Sequence, residues 1–320
     1  MTVASKPRLQ RLSVVVPVYF NEASLAPLHL ELLALAARLA EKSIALEVIF
    51  VDDGSGDGSL AELYKIREAH PETVVVKLTR NFGAAVASKI GMKEATGDAL
   101  VLIAADLQDP VDLIDGMVDR FLAGGNFVIC VRQTRDDPFP SKLLSSLYYR
   151  IVRAIVIADY PVGGFDMMLL AAPLYRNVAA SGPNTNLQLF AYWLGFAPSI
   201  LPYDRPARQF GRSKWTFGKR LKLLTDTLTG FSVVPIRAIS AFGLLVACAS
   251  FIYGIVILTG AVVRGSPVPG FPTLVMLNAF FGGLILVMLG VIGEYVWRIF
   301  DNTGQKPEGV VESIHRQSDP

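Results

Sequence analysis

Two kinds of apolar pattern divide the chain. Between residues 12 and 132, short apolar runs rich in β-branched residues alternate with longer amphipathic stretches, which is typical of strands alternating with helices. Continuously apolar strands are expected when helices cover both faces of a parallel sheet, and the alternation indicates βαβ units. We therefore predict a doubly wound α/β sheet with strands at 12–18, 46–51, 73–78, 99–104 and 127–131, and helices at 24–42, 59–70, 84–95 and 112–123.

The second pattern lies nearer the C-terminus. No charged residue occurs from Ala238 to Val263 or from Gly265 to Gly293. Each stretch is long enough for a helix to cross a bilayer, which needs about 20 apolar residues. The short connection, with the sequence GSPVPGFP (265–272), predicts a helical hairpin. A pair of buried core helices is the alternative, but two long uncharged runs in tandem are rare in soluble domains.

Charge and composition favour a membrane protein. The apolar fraction is 52% and the mean hydropathy is positive. Basic residues cluster before the first apolar run and follow the second, whereas the connection carries only Arg264, so the positive-inside tendency predicts a cytoplasmic catalytic domain and cytoplasmic termini. No apolar signal segment follows the basic N-terminus. We expect an integral inner-membrane protein with two spans.

Composition also argues against several functional classes. The net charge of +2 argues against bulk binding of nucleic acid. The two cysteines allow no disulfide framework or thiol-metal spacing, and the scattering of the three histidines argues against a histidine-based triad or metal site. The candidate chemistry must therefore come from carboxylates, amides and basic side chains.

Four segments follow from these patterns. We predict a cytoplasmic α/β domain at 1–215, an interfacial amphipathic helix at 216–235, a two-helix transmembrane hairpin at 236–300 and a cytoplasmic tail at 301–320. The stretches 141–160 and 215–234 both mix apolar and aromatic residues with basic ones, which is typical of helices at a membrane interface. Ordinary core helices remain the alternative for both stretches.

Polar residues follow the predicted strands, where doubly wound sheets bind their ligands. The first strand ends in PVYFNE (17–22), the second in DDGSGDG (52–58), and the third leads into TRNFG (79–83) and a helix of small residues. Two adjacent carboxylates and a Gly/Ser turn can hydrogen-bond a base and a ribose. An ordinary turn that caps the next helix contains the same residue types, so both interpretations stay open.

The fourth strand leads into AADLQDP (104–110). In an extended segment Asp106 and Gln108 would point the same way and offer two oxygen ligands to a hard divalent ion. Such an ion keeps positions open for substrate phosphates and neutralises a leaving diphosphate. Asp109 could instead, or in addition, cap the next helix, with Pro110 at its first position.

Taken in order, these motifs resemble the polyprenyl-phosphate sugar synthases, which are family 2 glycosyltransferases of the GT-A fold, and specifically their bacterial branch with two C-terminal membrane helices. The matching stretches cover most of residues 12–235 and are VVVPVYFNE (14–22), VDDGSGDGS (51–59), TRNFGAAVASKIGMKEATGD (79–98), ADLQDP (105–110), VRQTRDD (131–137), GGFDMMLL (163–170) and RQFGRSKW (208–215). The resemblance implies a metal-dependent enzyme that transfers a sugar from a nucleotide-sugar, by analogy a UDP-hexose, to undecaprenyl phosphate with inversion. It also makes a homo-oligomer, such as a tetramer, plausible.

The resemblance implies roles for individual residues. The ion, Mg²⁺ or Mn²⁺, would be bound by Asp106 and Gln108. The acceptor phosphate would be met by Arg132, Arg135, Ser141 and Arg208. The nucleotide-sugar would be held by Pro17, Tyr19, Glu22, Asp52, Asp53, Asn81, Ala105, Asp106 and Lys214. The catalytic positions would be Asp106, Asp166, Arg132 and Arg208.

Three departures from the family pattern stand out. Ala104 occupies the first position of a motif that commonly reads Asp-Ala-Asp, Phe20 is an extra residue, and Gly164-Phe165-Asp166 stands where Gly-Asp-Phe-Arg is frequent. Asp166 is therefore predicted either to orient an arginine or to help place the acceptor. Two other functions are alternatives. A processive glycan synthase is disfavoured because its Gln-x-x-Arg-Trp motif is absent from the sequence. A non-catalytic scaffold gains slight support from Ala104 but is opposed by the remaining site residues.

Overall fold

The computed structural model describes residues 8–133, 139–204, 217–232, 234–264, 270–304 and 306–316. The chain forms two compact units. The first comprises Met1–Leu223 together with Pro307–Pro320, and the second comprises Leu224–Lys306. The chain thus leaves the first unit, forms the second, and returns to the first.

The first unit is an α/β domain with one mixed sheet in the order β7-β5-β6-β4-β1-β2-β3-β8. Its strands are β1 (Arg11–Val18), β2 (Ala45–Asp52), β3 (Val74–Leu78), β4 (Ala99–Leu102), β5 (Phe127–Arg132), β6 (Met168–Ala171), β7 (Ser199–Tyr203) and β8 (Val311–His315). The helices are α1 (Glu22–Glu41), α2 (Ser59–Ala69), α3 (Ala84–Glu94), α4 (Leu113–Leu122), α5 (Phe139–Ile155), α6 (Ala172–Ala179) and α7 (Leu187–Trp193).

The burial of the central strands explains why their apolar runs predict strands. β1 pairs in parallel with both β2 and β4, and β2 pairs in parallel with β3. Val14, Val15 and Val16 are fully buried, because helices cover both faces of this part of the sheet. All five predicted strands and four predicted helices are present, with ends that differ by one or two residues. The predicted α/β fold is confirmed.

The sheet departs from uniform parallel order at three strands that the sequence did not predict. β6 runs antiparallel between β4 and β5, β7 extends one edge, and β8 pairs antiparallel with β3 at the other edge. β6 has only four residues and β8 is half exposed, so neither has a hydrophobic pattern that predicts a strand. β8 lies in the segment that was expected to be a tail.

The second unit contains two long helices, α9 (Val234–Arg264) and α10 (Phe271–Thr303), of 31 and 33 residues. At about 1.5 Å per residue each exceeds the hydrocarbon thickness of about 30 Å. A Cβ added to Gly243 of α9 would lie 2.7 Å from Met288 Cε of α10, so the two helices pack closely there. The two long helices of the predicted hairpin are therefore present.

Two helices in the described ranges are long and apolar enough to cross a membrane. One is Phe280–Asp301, within α10, and the other is α1. Since Leu25, Leu28, Leu32 and Leu35 of α1 are buried in the sheet domain, α1 is a core helix. Helix α8 (Phe217–Phe231) precedes α9. Within the second unit, Arg298 of α10 forms an ion pair with Asp226 of α8 at 2.6 Å.

His29 of α1 gives the stability of the sheet domain an expected pH dependence. Its ring lies 4.7 Å from that of His70, and neither of its nitrogens has a hydrogen-bond partner among the described residues. Burial lowers the pKa of His29, with nearby His70 adding to this effect and Glu72 opposing it. The unfolded chain therefore takes up a proton at His29 more readily than the folded chain, and stability should fall as pH drops below about 6.5.

We expect His29→Leu to reduce this loss of stability on acidification. The test is the midpoint of thermal unfolding of the detergent-solubilised protein between pH 5 and pH 8. Parallel curves for the wild type and the variant would exclude His29 as a source of the pH dependence.

Candidate active site

The loops that follow β1 and β2 are joined by hydrogen bonds. The Asn21 backbone N–H donates to Ser59 Oγ at 2.9 Å, and the Gly58 N–H donates to Glu22 Oε2 at 3.0 Å. A Cβ on Gly58 would lie 2.3 Å from the Glu22 carboxylate, so a side chain at this position would displace Glu22 from this contact. The predicted donor-site residue Glu22 thus fixes the second loop as well as beginning α1.

Asp53 joins the loop after β2 to the loop after β3. Its two carboxylate oxygens accept from the backbone N–H groups of Phe82 and Gly83, at 2.7 and 2.9 Å. Burial raises the pKa of Asp53, and these two hydrogen bonds partly offset that increase. Gly54, at φ +67°, allows the same loops to touch, because a Cβ there would lie 2.6 Å from the Arg80 backbone. The loops after β1, β2 and β3 together form a surface that we call the three-loop wall. Asp53 holds the second and third of these loops together, and its contact with a nucleoside stays a prediction.

The other predicted nucleoside residues surround this wall. Asp52 is buried at the end of β2, where its carboxylate lies 3.3 Å from the Ser55 N–H. Pro17 pairs with Val51 inside the sheet, and Asn81 is exposed in the third loop. The structure thus brings these residues to the carboxyl ends of three neighbouring strands, as the sequence predicted.

The extra residue Phe20 forms an exposed aromatic rim. It has a positive φ of 56°, and its ring packs edge-on against Tyr19 with a centroid separation of 4.6 Å. The ring also lies over Gly56, where an added Cβ would be 3.4 Å from Phe20 Cζ. The extra residue therefore turns one aromatic side chain outward, and β1 and β2 pair regularly as far as Val18 and Asp52.

The segment after β4 is a turn, which corrects the expectation of an extended Asp-x-Gln. Leu107 has a φ of +58°, and the Gln108 N–H donates to Asp106 Oδ1 at 3.2 Å. In this turn the backbone of Gln108 contacts the Asp106 carboxylate, so the side-chain alternation of an extended strand does not apply. Ala105 has a buried side chain, and its carbonyl accepts from Ser24 Oγ at 2.7 Å.

Asp109 holds this turn and does not cap the next helix, so the predicted capping role is wrong. Its Oδ2 accepts from the Ala104 N–H at 3.1 Å, whereas α4 begins at Leu113 after Asp112. Burial raises the pKa of Asp109 to about 6, and nearby Asp166 and Asp106 contribute to this increase. Three carboxylates therefore lie close enough to influence one another, beside the position where the family pattern has a fourth.

Arg132 and Asp166 form a bidentate ion pair at the ends of neighbouring strands. Both side chains are largely buried, and Tyr203 at the end of β7 donates its hydroxyl to Asp166 Oδ2 at 2.7 Å. Gln188 fixes the same segment by donating to the Asp166 carbonyl at 3.1 Å. Burial lowers the pKa of Arg132, but the hydrogen bond and the charge of Asp166, together with Tyr203, outweigh that effect. The pKa therefore lies above its ordinary value and the guanidinium stays charged.

Several contributors to the site were not found from the sequence. Ser24, Ser55 and Ser59 connect the loops, whereas Gln188 and Tyr203 support Asp166 from other elements. The Ser residues of the 52–59 turn were visible only as turn residues. Tyr203 could have been found only from the pairing of β7 with β5, which joins residues about 70 positions apart.

Four of the predicted site residues are not among those whose side chains the structure describes. Arg135, Arg208 and Lys214 lie outside the described residues, and Ser141 lies in α5 at a position whose side chain is not described. In the parts of the chain that the structure describes, no three His, Cys, Asp or Glu side chains converge to hold a metal ion.

Residues 13–168 match the family described as Glycosyl transferase family 2. An uncharacterized glycosyltransferase of Bacillus subtilis, YkcC, is 32% identical over 95% of this chain and 94% of its own length. A prophage-derived bactoprenol glucosyl transferase of Shigella flexneri is 31% identical over 96% of this chain and 99% of its own length. Among solved structures, the mannosyltransferase PcManGT from Pyrobaculum calidifontis has 19% identity and a TM-score of 0.48, covering 95% of this chain and 91% of that one.

Proposed function

Because the chain belongs to glycosyltransferase family 2, we propose that it transfers a hexosyl group from a nucleoside-diphosphate sugar to the phosphate of a polyprenol. The single observation that carries the choice of acceptor is the end-to-end similarity to the Shigella protein named a bactoprenol glucosyl transferase. Undecaprenyl phosphate is the proposed acceptor and a UDP-hexose the proposed donor. The site supports this choice, since it combines a three-loop wall with a carboxylate turn and a charged arginine.

The donor nucleoside is proposed to lie against the loops after β1, β2 and β3. Asp53 and Glu22 hold these loops together through hydrogen bonds within the chain itself. Tyr19 and the exposed ring of Phe20 offer aromatic faces at the rim, on which a base can stack. Asp52, Asn81, Ala105 and Lys214 are the further donor contacts proposed from the family resemblance.

We also propose that Mg²⁺ or Mn²⁺ binds at Asp106 and Gln108. A carboxylate and an amide oxygen are hard ligands that suit these ions, and Mg²⁺ usually completes its coordination with water and substrate phosphates. The electrostatic influence of Asp106 and Asp166 on Asp109 supports a negative environment that would attract a cation. Once bound, the ion would neutralise charge on the departing diphosphate.

The reaction needs little proton transfer. A phosphate monoester has a second pKa of about 6, so the acceptor oxygen is largely ionised near neutral pH and can act as the nucleophile. A new bond forms between this oxygen and the anomeric carbon, while the bond from that carbon to the donor diphosphate breaks on the opposite face. The nucleoside diphosphate leaves, and the anomeric configuration is inverted.

Arg132 is proposed to bind the acceptor phosphate. Its guanidinium is charged and held in a fixed orientation by Asp166, and arginine binds phosphate through two parallel hydrogen bonds. Arg135, Ser141 and Arg208 are proposed to assist it. In this arrangement Asp166 acts through Arg132, which agrees with the first of the two roles predicted for it.

The membrane is the proposed location of the acceptor. Long helices α9 and α10 are the proposed spans, with the sheet domain and both termini in the cytoplasm. In α5 a shallow cavity of about 390 Å³ is lined by Tyr149, Arg150 and Arg153. Val162 also lines this cavity and is exposed, as is Leu147 of α5. This region therefore combines the basic and apolar side chains that suit a membrane surface. A homo-oligomer, such as a tetramer, is also proposed.

A transfer assay tests the proposal directly. Purified full-length protein in detergent or lipid is incubated with undecaprenyl phosphate, Mg²⁺ or Mn²⁺, and a panel of radiolabelled UDP- and GDP-sugars. We expect label from a UDP-hexose to enter the lipid fraction and to be lost when a chelator is added. Label that appears regardless of chelator would contradict the metal assignment. No transfer from any donor by folded protein would contradict the proposed reaction.

A further inference from the structure

Lys89 of α3 is a buried cation outside the proposed reaction centre. Only 3% of its side chain is exposed, and its ammonium donates to the carbonyls of Ser181 and Gly182 at 3.0 and 2.7 Å and to Glu308 Oε2 at 2.7 Å. These three acceptors match the three donors of an ammonium group. Burial lowers the pKa of Lys89, whereas the bond to Glu308 raises it. Glu308 is therefore the only anionic partner among the described residues for a lysine that the fold has taken out of water.

Glu308 belongs to the segment 306–316, which returns to the sheet domain after α10. Beyond Glu308, the segment pairs with β3 as β8, and Lys77 binds Glu312 of that strand at 2.6 Å. Gly309 lies so close to α3 that an added Cβ would be 2.7 Å from both Val86 and Ile90. The return segment is thus packed into the domain through the faces of α3 and β3.

The same segment contacts the loop that Asp53 binds. The Thr79 N–H at the start of this loop donates to the Val310 carbonyl at 3.0 Å, and Gly309 lies beside Phe82. On its other side, the loop donates the Phe82 and Gly83 N–H groups to Asp53. Residues 79–83 are therefore held between Asp53 and the return segment, and Glu308 fixes that segment to α3 immediately after the loop.

We propose that Lys89 and Glu308 are positioning residues for the donor site, and that the return segment 306–316 forms the outer support of the 79–83 loop. The loop would then keep the geometry that binds the nucleoside only while the buried ion pair is intact. This inference rests on the proposed function for the identity of the ligand, but the support of the loop is a property of the sheet domain itself.

The test compares Glu308→Gln with Glu312→Gln in the full-length protein. The two glutamates lie four residues apart in the same segment and each binds a lysine. Glu312 pairs with Lys77 on β3, where both side chains are more exposed than those of Lys89 and Glu308. Hydrogen exchange of residues 79–91 is measured without nucleotide, and the donor KM and kcat are measured in the transfer assay. For Glu308→Gln we expect faster hydrogen exchange that is confined to residues 79–91. The donor KM should rise about 10-fold, because the buried charge of Lys89 loses its charged partner. The kcat should stay within about 2-fold of wild type. Glu312→Gln should match the wild type in all three quantities.

Gly309→Ala provides a second variant in case Glu308→Gln does not fold. Its added methyl group would push the segment from Val86 and Ile90, so the same changes in exchange and KM are expected with smaller size. Unchanged exchange and KM in a folded variant of either kind would overturn the inference, as would an effect on kcat alone. If the wild type transfers no sugar, the proposed function fails, whereas the exchange comparison still decides whether the return segment supports the loop.

Discussion

Asp106→Asn should lower kcat for sugar transfer by about 10²–10³-fold, which is typical when a group that stabilises transition-state charge is removed. The amide keeps the size of the side chain but loses the negative charge that would bind a divalent ion beside Gln108. The Gln108 N–H can still donate to the amide oxygen at position 106, so the turn around Leu107 should persist. The effect should therefore be chemical, with little loss of folding stability.

The measurement is steady-state transfer as a function of Mn²⁺ concentration, together with direct titration of Mn²⁺ binding. Asp112→Asn is the matched control, because Asp112 is an exposed carboxylate six residues further along that pairs only with Arg38 in the described structure. We expect the control to retain kcat within about 2-fold, as for most exposed ion pairs. Asp106→Asn with wild-type activity and wild-type Mn²⁺ affinity would remove Asp106 from the ion site.

The central sheet was predictable because its local pattern and its burial coincide. β1 to β5 are mostly apolar runs interrupted by single polar residues such as Ser13 and Lys77, and each is followed by a helix. Short windows of sequence therefore contain the necessary information. The positions of Asp52, Asp53 and Asp106 then followed from the rule that ligands bind at the carboxyl ends of parallel strands. These predictions required no knowledge of which distant segments meet.

The remaining features depend on contacts between distant residues or on unusual backbone angles. Leu107 takes a positive φ without being glycine, so nothing in the sequence marks the turn that replaces the expected extended segment. Asp109 has the sequence signature of a helix cap, but the Ala104 N–H lies within its reach and α4 begins later. Tyr203 reaches Asp166 only because β7 pairs with β5, and Glu308 reaches Lys89 only because the chain returns after α10.

Asp166→Asn should lower kcat by about 10²-fold, since a small displacement of a group that positions substrate can have an effect of this size. Asn retains an oxygen that can accept one hydrogen bond, but it cannot balance the charge of the largely buried Arg132 or hold both arms of its guanidinium.

Tyr203→Phe removes only one hydrogen bond to Asp166 and should reduce kcat by about 3- to 10-fold. The control is Tyr175→Phe, which removes a buried tyrosine hydroxyl that binds the Gly97 carbonyl at the amino end of β4, and which should leave kcat unchanged.

A double-mutant cycle separates the two roles predicted for Asp166. If Asp166 acts only by orienting Arg132, Arg132→Gln combined with Asp166→Asn should be no slower than Arg132→Gln alone, because the group to be oriented is already absent. The kcat values and the KM for undecaprenyl phosphate of the wild type, both single variants and the double variant supply the cycle. Multiplicative losses of kcat would contradict the positioning role and assign Asp166 its own contact with a substrate. A non-additive cycle with a raised acceptor KM in both single variants would identify the pair as one phosphate-binding unit, built from the ends of two strands that lie side by side in the sheet.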